Sequence, residues 1–433
     1  MTPENSKIGV LVFPAGETNS IELHDALCTC VNIRLYGASS YDRHGGYVFS
    51  DYTSGLPVIT APDFIEKFNA LIAEKSIDVV FPTHDTVAEF LSAHMSEINA
   101  KVIVADSETS EICRDKKRTF DLFNDCSFCP KVYDSPKCFP VFVKPREGQG
   151  AVGAYKIASA DDIPSHTNWD DMVICEYLPG EEYSVDCFTD RNGKLCGVFP
   201  RSRKRLLAGI TVGGSSEPLT DEILEIAQTI NSRLNFLGIW YFQIKRANDG
   251  RFKLMEISTR CPGTMCLTRA KGVNLALLSV YTAMGRDVDV FCNDYTVTVD
   301  RTFISRYKID YDYDRVYMDL DDTLIIREKV CLIAVRFLYQ CLNHNIPVSL
   351  ITRHTYDHDE STEEYLKRFC ISEGLFDEVL TIPFDCCKAD HITKGTNPIF
   401  IDNAFAERKQ VREKCNIPVF DVDCIEVLLD WRI

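Results

Sequence analysis

The sequence predicts a multidomain α/β and α+β protein, and three observations predict it. Strand-length apolar runs alternate with helical patterns at the front. A strand-rich stretch with a glycine loop follows, and α/β alternation returns from about residue 314. The length, 433 residues, exceeds what one ordinary core accommodates. The expected division is a doubly wound domain over residues 1–106, an α+β body over 107–310 and a second α/β domain over 311–433.

Composition narrows the function classes. An apolar fraction of 45% with 26% charged residues is that of a globular chain. A net charge of −17 argues against nucleic acid as a partner, because phosphates need a basic surface, and equally against an anionic membrane surface. No apolar run approaches the roughly 20 residues that span a bilayer. The opening MTPENSKIGVLVF lacks the charged and apolar regions of a signal peptide, so a cytoplasmic location is expected. The 19 cysteines are scattered through apolar segments, as at Cys28, Cys175, Cys187, Cys196, Cys331 and Cys341, where Cys acts as a small hydrophobe. The Cys-x-x-Cys pair at Cys126 and Cys129 has no second pair to complete a zinc site.

In the front domain, strands are expected at 7–13, 32–36, 78–82 and 101–105, with helices over 62–74 and 86–94. Loops after parallel strands are where ligands usually bind, so His84 and Asp85 are placed to face a substrate. The plainer reading makes Asp85 a helix cap beside a solvated His84. In the body, a helix carries Asp115, Lys116 and Phe120, and strands are expected at 141–144, 155–157, 172–177, 182–189, 238–246 and 251–257. Asn248-Asp249-Gly250 marks a hairpin between the last two. Helices fill 221–234 and 274–284. In the rear domain, strands at 315–318, 347–351 and 399–401 alternate with helices over 330–342 and 361–369. The junction at 311–314 has no Gly, Ser or Pro and reads as a fixed join.

The rear chemistry centres on VYMDLDDTL. Asp319 and Asp321 leave an apolar strand two residues apart, so both carboxylates can address one phosphoryl group. One can attack phosphorus while the other protonates the leaving oxygen. A second strand delivers Thr352 to phosphate oxygens, Lys388 or Lys394 supplies charge, and a third strand delivers Asp402, a hard ligand for Mg²⁺. Lys388 is preferred because it opens a helix-like segment before the last strand. Over residues 314–433 this order resembles the haloacid dehalogenase superfamily. The resemblance implies Asp319 as nucleophile, Asp321 as general acid/base, Thr352 and Lys388 on the phosphate, and Asp319, Asp321 and Asp402 around magnesium. Asn403 stands where that family often has a second acid. Residues 324–349 hold little beyond one helix, so a large cap is absent, and either a large phosphorylated substrate or cover by another domain is expected.

The front chemistry starts at Lys144, which ends a strand and precedes glycines at 148, 150 and 153. Such a loop lets backbone N–H groups close over phosphates, although alone it also reads as a plain hairpin. Glu176 and Glu182 follow, then Gln243 in GIWYFQIK and Glu256, Ser258 and Arg260 in LMEISTR. Oxygen ligands on neighbouring strands of a hairpin suit one or two Mg²⁺ ions bridging ATP phosphates. Over about residues 7–300 this set resembles the ATP-grasp superfamily, in particular carbamoyl phosphate synthetase and the carboxylate–amine ligases. The resemblance implies ATP and Mg²⁺, with Mn²⁺ as a substitute. It puts Lys116, Lys144, Gly148 and Gly150 on phosphates, Glu176 near adenine, Glu182 on the ribose, Gln243 and Glu256 on metal, and Arg260 on the transferring phosphoryl group. Ser258 stands where that family usually has Asn as a further metal ligand. Arg201, Arg203, Lys204 and Arg205 are read either as an acceptor-binding cluster or as a solvated basic loop.

The expectation is therefore a bifunctional enzyme, an ATP-dependent carboxylate–amine ligase fused to a magnesium-dependent phosphatase. Its partners are a small carboxylate, an amine and a phosphorylated substrate; whether it forms a homo-oligomer is left open. The alternatives are an ATP-dependent kinase or carbamoyl-phosphate-like enzyme, and a non-catalytic nucleotide sensor.

Overall fold

The computed structural model describes residues 7–42, 44–148, 150–164, 168–357, 359–430 and 432. The chain divides into two compact units, residues up to 303 and residues 304–432. No helix among the described residues is long and apolar enough to cross a membrane.

The first unit opens with β1 (Ile8–Phe13), β2 (Ile33–Ala38), β3 (Asp51–Thr53), β4 (Val79–Pro82) and β5 (Lys101–Val102). They form a parallel sheet in the order β3-β2-β1-β4-β5. β1 and β4 are buried at every position, as strands covered on both faces must be. The helices Thr18–Leu27, Phe64–Lys75 and Asp85–Ala93 supply the cover. The chain turns from one side of the sheet to the other between β1 and β4, so the loops after these two strands open at the switch point. β5 is shorter than the apolar run 101–105, because Ile103 and Val104 are buried without extending the ladder.

The remainder of this unit is mostly antiparallel. β6 (Val132–Tyr133), β7 (Val141–Pro145), β8 (Tyr155–Ile157) and β9 (Met172–Glu176) form one small sheet, ordered β6-β9-β7-β8. β10 (Glu182–Thr189), β11 (Leu195–Ser202), β12 (Arg205–Leu207), β13 (Ile210–Ser215), β14 (Gly238–Arg246), β15 (Phe252–Ser258) and β16 (Thr298–Asp300) complete it. The main sheet is β11-β10-β14-β15, and β12-β13-β16 make a ribbon. Trp240, Phe242 and Ile244 of β14 pack with Ile223, Ile226 and Ile230 of the helix Asp221–Arg233. The expected turn closes β14 onto β15, with Gly250 at φ +81° and Ala247 N–H donating to Arg251 at 2.9 Å. The basic residues 201–205 divide: Arg201 and Arg203 are drawn in by Asp186 and Glu182 of β10, whereas Lys204 and Arg205 are exposed, as the solvated reading expects.

The second unit contains β17 (Arg315–Met318), β18 (Ile325–Ile326), β19 (Lys329–Val330), β20 (Val348–Thr352), β21 (Glu378–Thr381), β22 (Pro398–Ile401) and β23 (Val419–Phe420). Five of them form a parallel sheet ordered β21-β20-β17-β22-β23, again with its switch beside the first strand. β18 and β19 form a small hairpin whose turn residues Arg327 and Glu328 have φ of 51° and 57°. This hairpin occupies the residues expected to begin a helix at 330, so the helix runs Leu332–Asn343. Its Phe337 and Leu338 join Val316, Met318 and Leu350 in the core. Asp314 accepts backbone N–H groups of Thr396 and Asn397, at 2.6 and 2.9 Å, which fixes the start of β17 beside β22.

Candidate active sites

A cleft of about 220 Å³ in the first unit is lined by Lys116, Gly148, Gly150, Gln243, Glu256, Ser258 and Arg260. The hairpin explains half of this set. Gln243 and Glu256 are register partners on β14 and β15, and Tyr241 and Ser258 are the next pair on the same face. Lys116 opens the helix Lys116–Leu122, capped by Asp115, whose carboxylate accepts Lys117 N–H at 2.8 Å. Asp115 also pairs with Arg146 at the end of β7. Lys116 Nζ and Arg114 Nη1 both donate to the Gly148 carbonyl at 3.3 Å, so helix and glycine loop are held together.

Lys144, Glu176 and Glu182, expected with this set, are not among the residues that line the cleft. Lys144 is buried, lies over the Phe120 ring and donates to Met255 O at 2.7 Å. Burial pushes its ammonium below the ordinary lysine value, with nearby Lys116 acting in the same direction and Cys175, Glu256 and Glu182 opposing. Glu176 accepts Lys131 N–H at 2.8 Å. Glu182 pairs with Arg203 at 2.7 Å and Lys245 at 3.5 Å. Arg201 is buried against Asp186 at 2.9 Å and, like Arg203, reaches the cleft; Lys204 donates to Ser215 Oγ at 2.8 Å, and Arg205 pairs with Asp300.

Asp85 is not the cap of its helix. His84 takes that place, its Nδ1 accepting Thr86 N–H at 3.3 Å. This frees the Asp85 carboxylate for the cleft, where Ser258 Oγ donates to it at 3.0 Å and Arg260 Nη2 at 2.8 Å. Burial by itself would raise this carboxyl, but Arg260, with help from Arg114 and Ser258, holds it below the usual carboxylate range. Ser258 thus spends its hydroxyl on Asp85. The hard oxygens of Gln243 and Glu256 remain on one face, a donor set suited to Mg²⁺.

In the second unit the loop after β17 carries Asp319 and Asp321, both near the C-terminal edge of the parallel strands. Lys388 bridges Asp319 Oδ1 at 2.6 Å and Asp402 Oδ2 at 2.7 Å; all three are buried. Lys394 instead pairs with Glu378 at 2.6 Å. Burial pushes both Asp319 and Asp402 up from the ordinary carboxylate value, and Lys388 opposes it. Thr352 Oγ1 donates to Asp321 Oδ2 at 3.2 Å and accepts His354 N–H at 3.0 Å. Thr323 Oγ1 lies 3.5 Å from Asp319 Oδ2 and accepts Asn403 N–H at 3.1 Å. Two carboxylates against one ammonium leave a net negative charge, which a divalent cation complements. Among the described residues no group of three or more His, Cys, Asp and Glu side chains is arranged to hold a metal ion, so any cation here would rest on Asp319 and Asp402 with oxygens from outside that set.

Three neighbours were missed in the sequence. His354 Nδ1 sits 2.8 Å from Asp321 Oδ1, its ring stacked on Tyr365 at 3.9 Å. Arg353 pairs with Glu407 at 2.9 Å. Glu407 adds negative charge beside Asp402, one helical turn beyond Asn403. The available signal was position alone: a His just past the strand that ends in Thr352 and an acid in the first turn of the helix after Asp402.

A family model described as ATP-grasp in the biosynthetic pathway with Ter operon matches residues 168–302. That span holds β9 to β16 and, with them, Glu176, Glu182, Gln243, Glu256, Ser258 and Arg260. It ends before the second unit. Among solved structures, pyruvate carboxylase of Rhizobium etli is 14% identical with a TM-score of 0.54, over 65% of this chain and 29% of that one. The L-amino acid ligase of Bacillus licheniformis is 13% identical with a TM-score of 0.52, over 64% of this chain and 74% of that one. The biotin carboxylase domain of the Hydrogenobacter thermophilus 2-oxoglutarate carboxylase, solved with MgADP and bicarbonate, is 14% identical with a TM-score of 0.53, over 66% and 71%. The chain thus spans under a third of the pyruvate carboxylase it resembles. No curated protein matches the sequence. The likeness to the solved structures is one of fold, a mixed α/β architecture, and residues 168–302 are similar to the ATP-grasp family model.

Proposed function

We propose that the first unit is an ATP-dependent carboxylate–amine ligase and the second a magnesium-dependent phosphomonoesterase. The observation that carries the first part is the convergence of Lys116, the glycine loop, Gln243, Glu256 and Arg260 on one cleft. In this reading Lys116 and Lys144 with Gly148 and Gly150 hold the triphosphate, Glu176 and Glu182 lie toward the nucleoside, and Arg260 stabilises the transferring phosphoryl group. Gln243 and Glu256 would hold Mg²⁺, which supplies charge neutralisation on the phosphates. The substrate carboxylate oxygen bonds to the γ-phosphorus as the bond to ADP breaks. The amine nitrogen then attacks the acyl carbon, the phosphate leaves, and the nitrogen releases its proton. Arg201 and Arg203 at the cleft wall favour an anionic acceptor. Positioning and charge do most of the work in such transfers, so the side chains need to be rigid more than reactive.

For the second unit the carrying observation is Lys388 bridging Asp319 and Asp402 beside the Asp321–Thr352–His354 chain. In this reading Asp319 attacks phosphorus, Asp321 gives its proton to the leaving alkoxide, and water releases phosphate from Asp319. Thr352 and Lys388 hold the phosphate oxygens. Asp319 and Asp402 would hold Mg²⁺, with Glu407 as the outer acid that Asn403 does not provide. The test uses Asp319→Asn, to remove phosphatase background, with pools of amines and carboxylates. ADP that forms only when both are present, and that Glu256→Gln abolishes, is the expected result. ADP from a carboxylate or alcohol alone would replace the ligase by a kinase, and phosphomonoester hydrolysis surviving Asp319→Asn would refute the second site.

A further inference from the structure

The edge of the rear sheet carries aromatic side chains that the hydrolytic chemistry leaves unused. Tyr356 follows β20, Phe384 follows β21 and Phe405 follows β22, and they are 54%, 61% and 71% exposed. β21, β20, β17 and β22 lie side by side and parallel, so these segments leave the same edge at which Asp319 and Asp321 stand.

Arg353 ties the three segments together. It directly follows Thr352; its Nη2 donates to Cys386 O at 2.8 Å and its Nη1 meets Glu407 at 2.9 Å. Cys386 N–H donates to Pro383 O at 3.1 Å, closing a turn around Phe384. Tyr356 N–H donates to Arg353 O at 2.8 Å. Arg408 lies 5.9 Å from the Phe405 ring centre and donates to Asp402 O and Asn403 O at 2.6 and 2.7 Å. The backbone under each ring is thus anchored, while the ring itself is left in water. Bare rings on fixed supports around a reactive centre are an arrangement that favours binding, because little conformational entropy is lost on contact.

Resting on the hydrolase reading above, we propose that the rear site takes phosphate monoesters whose alcohol part carries an aromatic ring, received among Tyr356, Phe384 and Phe405. The three rings stand on separate segments at this edge, and a substrate's aromatic ring gains stacking or edge-to-face contact with them that an acyl chain does not. The P–O bond to that alcohol breaks as Asp319 bonds to phosphorus, and the alcohol leaves with the proton of Asp321.

Benzyl phosphate, hexyl phosphate and glycerol 3-phosphate test this, since all three release ordinary alcohols and differ in the body attached. The full chain with Mg²⁺ is expected to show the highest kcat/KM for benzyl phosphate. The joint Phe384→Leu and Phe405→Leu replacement keeps apolar volume and should lower the benzyl-to-glycerol ratio about tenfold. Equal turnover of benzyl and hexyl phosphate, or a ratio unmoved by the double replacement, overturns the aromatic assignment while leaving the hydrolase intact. Hydrolysis of none of the three overturns the hydrolase reading itself, and this assignment with it.

Discussion

Asp85 leaves β4 at the switch point of the first sheet, and its carboxylate meets Ser258 and Arg260, which lie 173 and 175 residues further along the chain. It is therefore a brace on the guanidinium that faces the cleft. Asp85→Asn removes the charge and keeps the shape. Arg260 is then a nearly buried cation without its counter-charge, a change expected to cost about 3 kcal/mol in the first unit's stability. On the ligase reading proposed above, loss of aim at the transferring phosphoryl group is expected to lower kcat about 10²-fold with the KM for ATP little changed. Steady-state kinetics and urea unfolding check both. The pH dependence follows from sign. A carboxyl held below its unfolded value contributes stability that is complete above the unfolded pKa, near 3.9, and fades as pH falls through the folded one. The wild-type advantage over Asp85→Asn should therefore be full at pH 6 and shrink progressively below about pH 4; an advantage at pH 3 undiminished from its pH 6 size would sink the ion-pair account. Glu256 and Asp319 drew notice in the sequence because each adjoins an apolar strand, Lys388 because it opens a helix-like segment before the last strand, and Lys116 only through the family resemblance. The partnership of Asp85 was not, since contacts across such separations leave no trace in spacing.

At the scale of elements, the β12–β13 hairpin reaches the glycine loop. A side chain at Gly209, whose φ is +77°, would place its Cβ 2.5 Å from the Gly150 carbonyl carbon. Gly209→Ala must push the loop outward, and the expected result is a KM for ATP raised about tenfold, as a loss of roughly 1.4 kcal/mol in binding gives. Gly193→Ala is the control. Its φ is +78° but nothing lies within 4 Å of the added Cβ, so it carries the backbone strain alone. It should lose about 1 kcal/mol of stability and leave the KM unchanged. If both variants bind ATP alike, the hairpin does not shape the loop. Buried parallel strands such as β1, β4, β17 and β22 were readable because each is an unbroken apolar run. β11 to β13 were not, because Gly197, Pro200, Gly213 and Gly214 interrupt them, and the charges of Arg201, Arg203 and Arg205 meet Asp186, Glu182 and Asp300 only on other strands. The β18–β19 hairpin was hidden for a related reason, since Arg327 and Glu328 take left-handed turn positions with no Asn or Gly to announce them.

For the whole molecule, the core clusters separate along the same line as the two compact units. Each cluster among the described residues is drawn from one unit alone: Val10, Phe49 and Leu275 belong to one set, Trp240 and Phe242 to another, and Val316, Phe337 and Leu350 to a third in the second unit. A cooperative transition follows a shared core, so two transitions are expected on heating. Ligands then assign them, because a ligand stabilises only the state that binds it. At 100 times its Kd, MgATP contributes about 2.7 kcal/mol to the first unit, enough to raise that Tm by a few degrees. Orthovanadate, a phosphate mimic, should do the same for the second unit only. Asp319→Asn should abolish the vanadate shift without touching the ATP shift, and Glu256→Gln should weaken the ATP shift without touching the vanadate one. Differential scanning calorimetry of the full chain in the four combinations decides this. If either ligand moves both transitions by equal amounts, the units fold as one body, and a substitution in one site can no longer be assumed silent in the other.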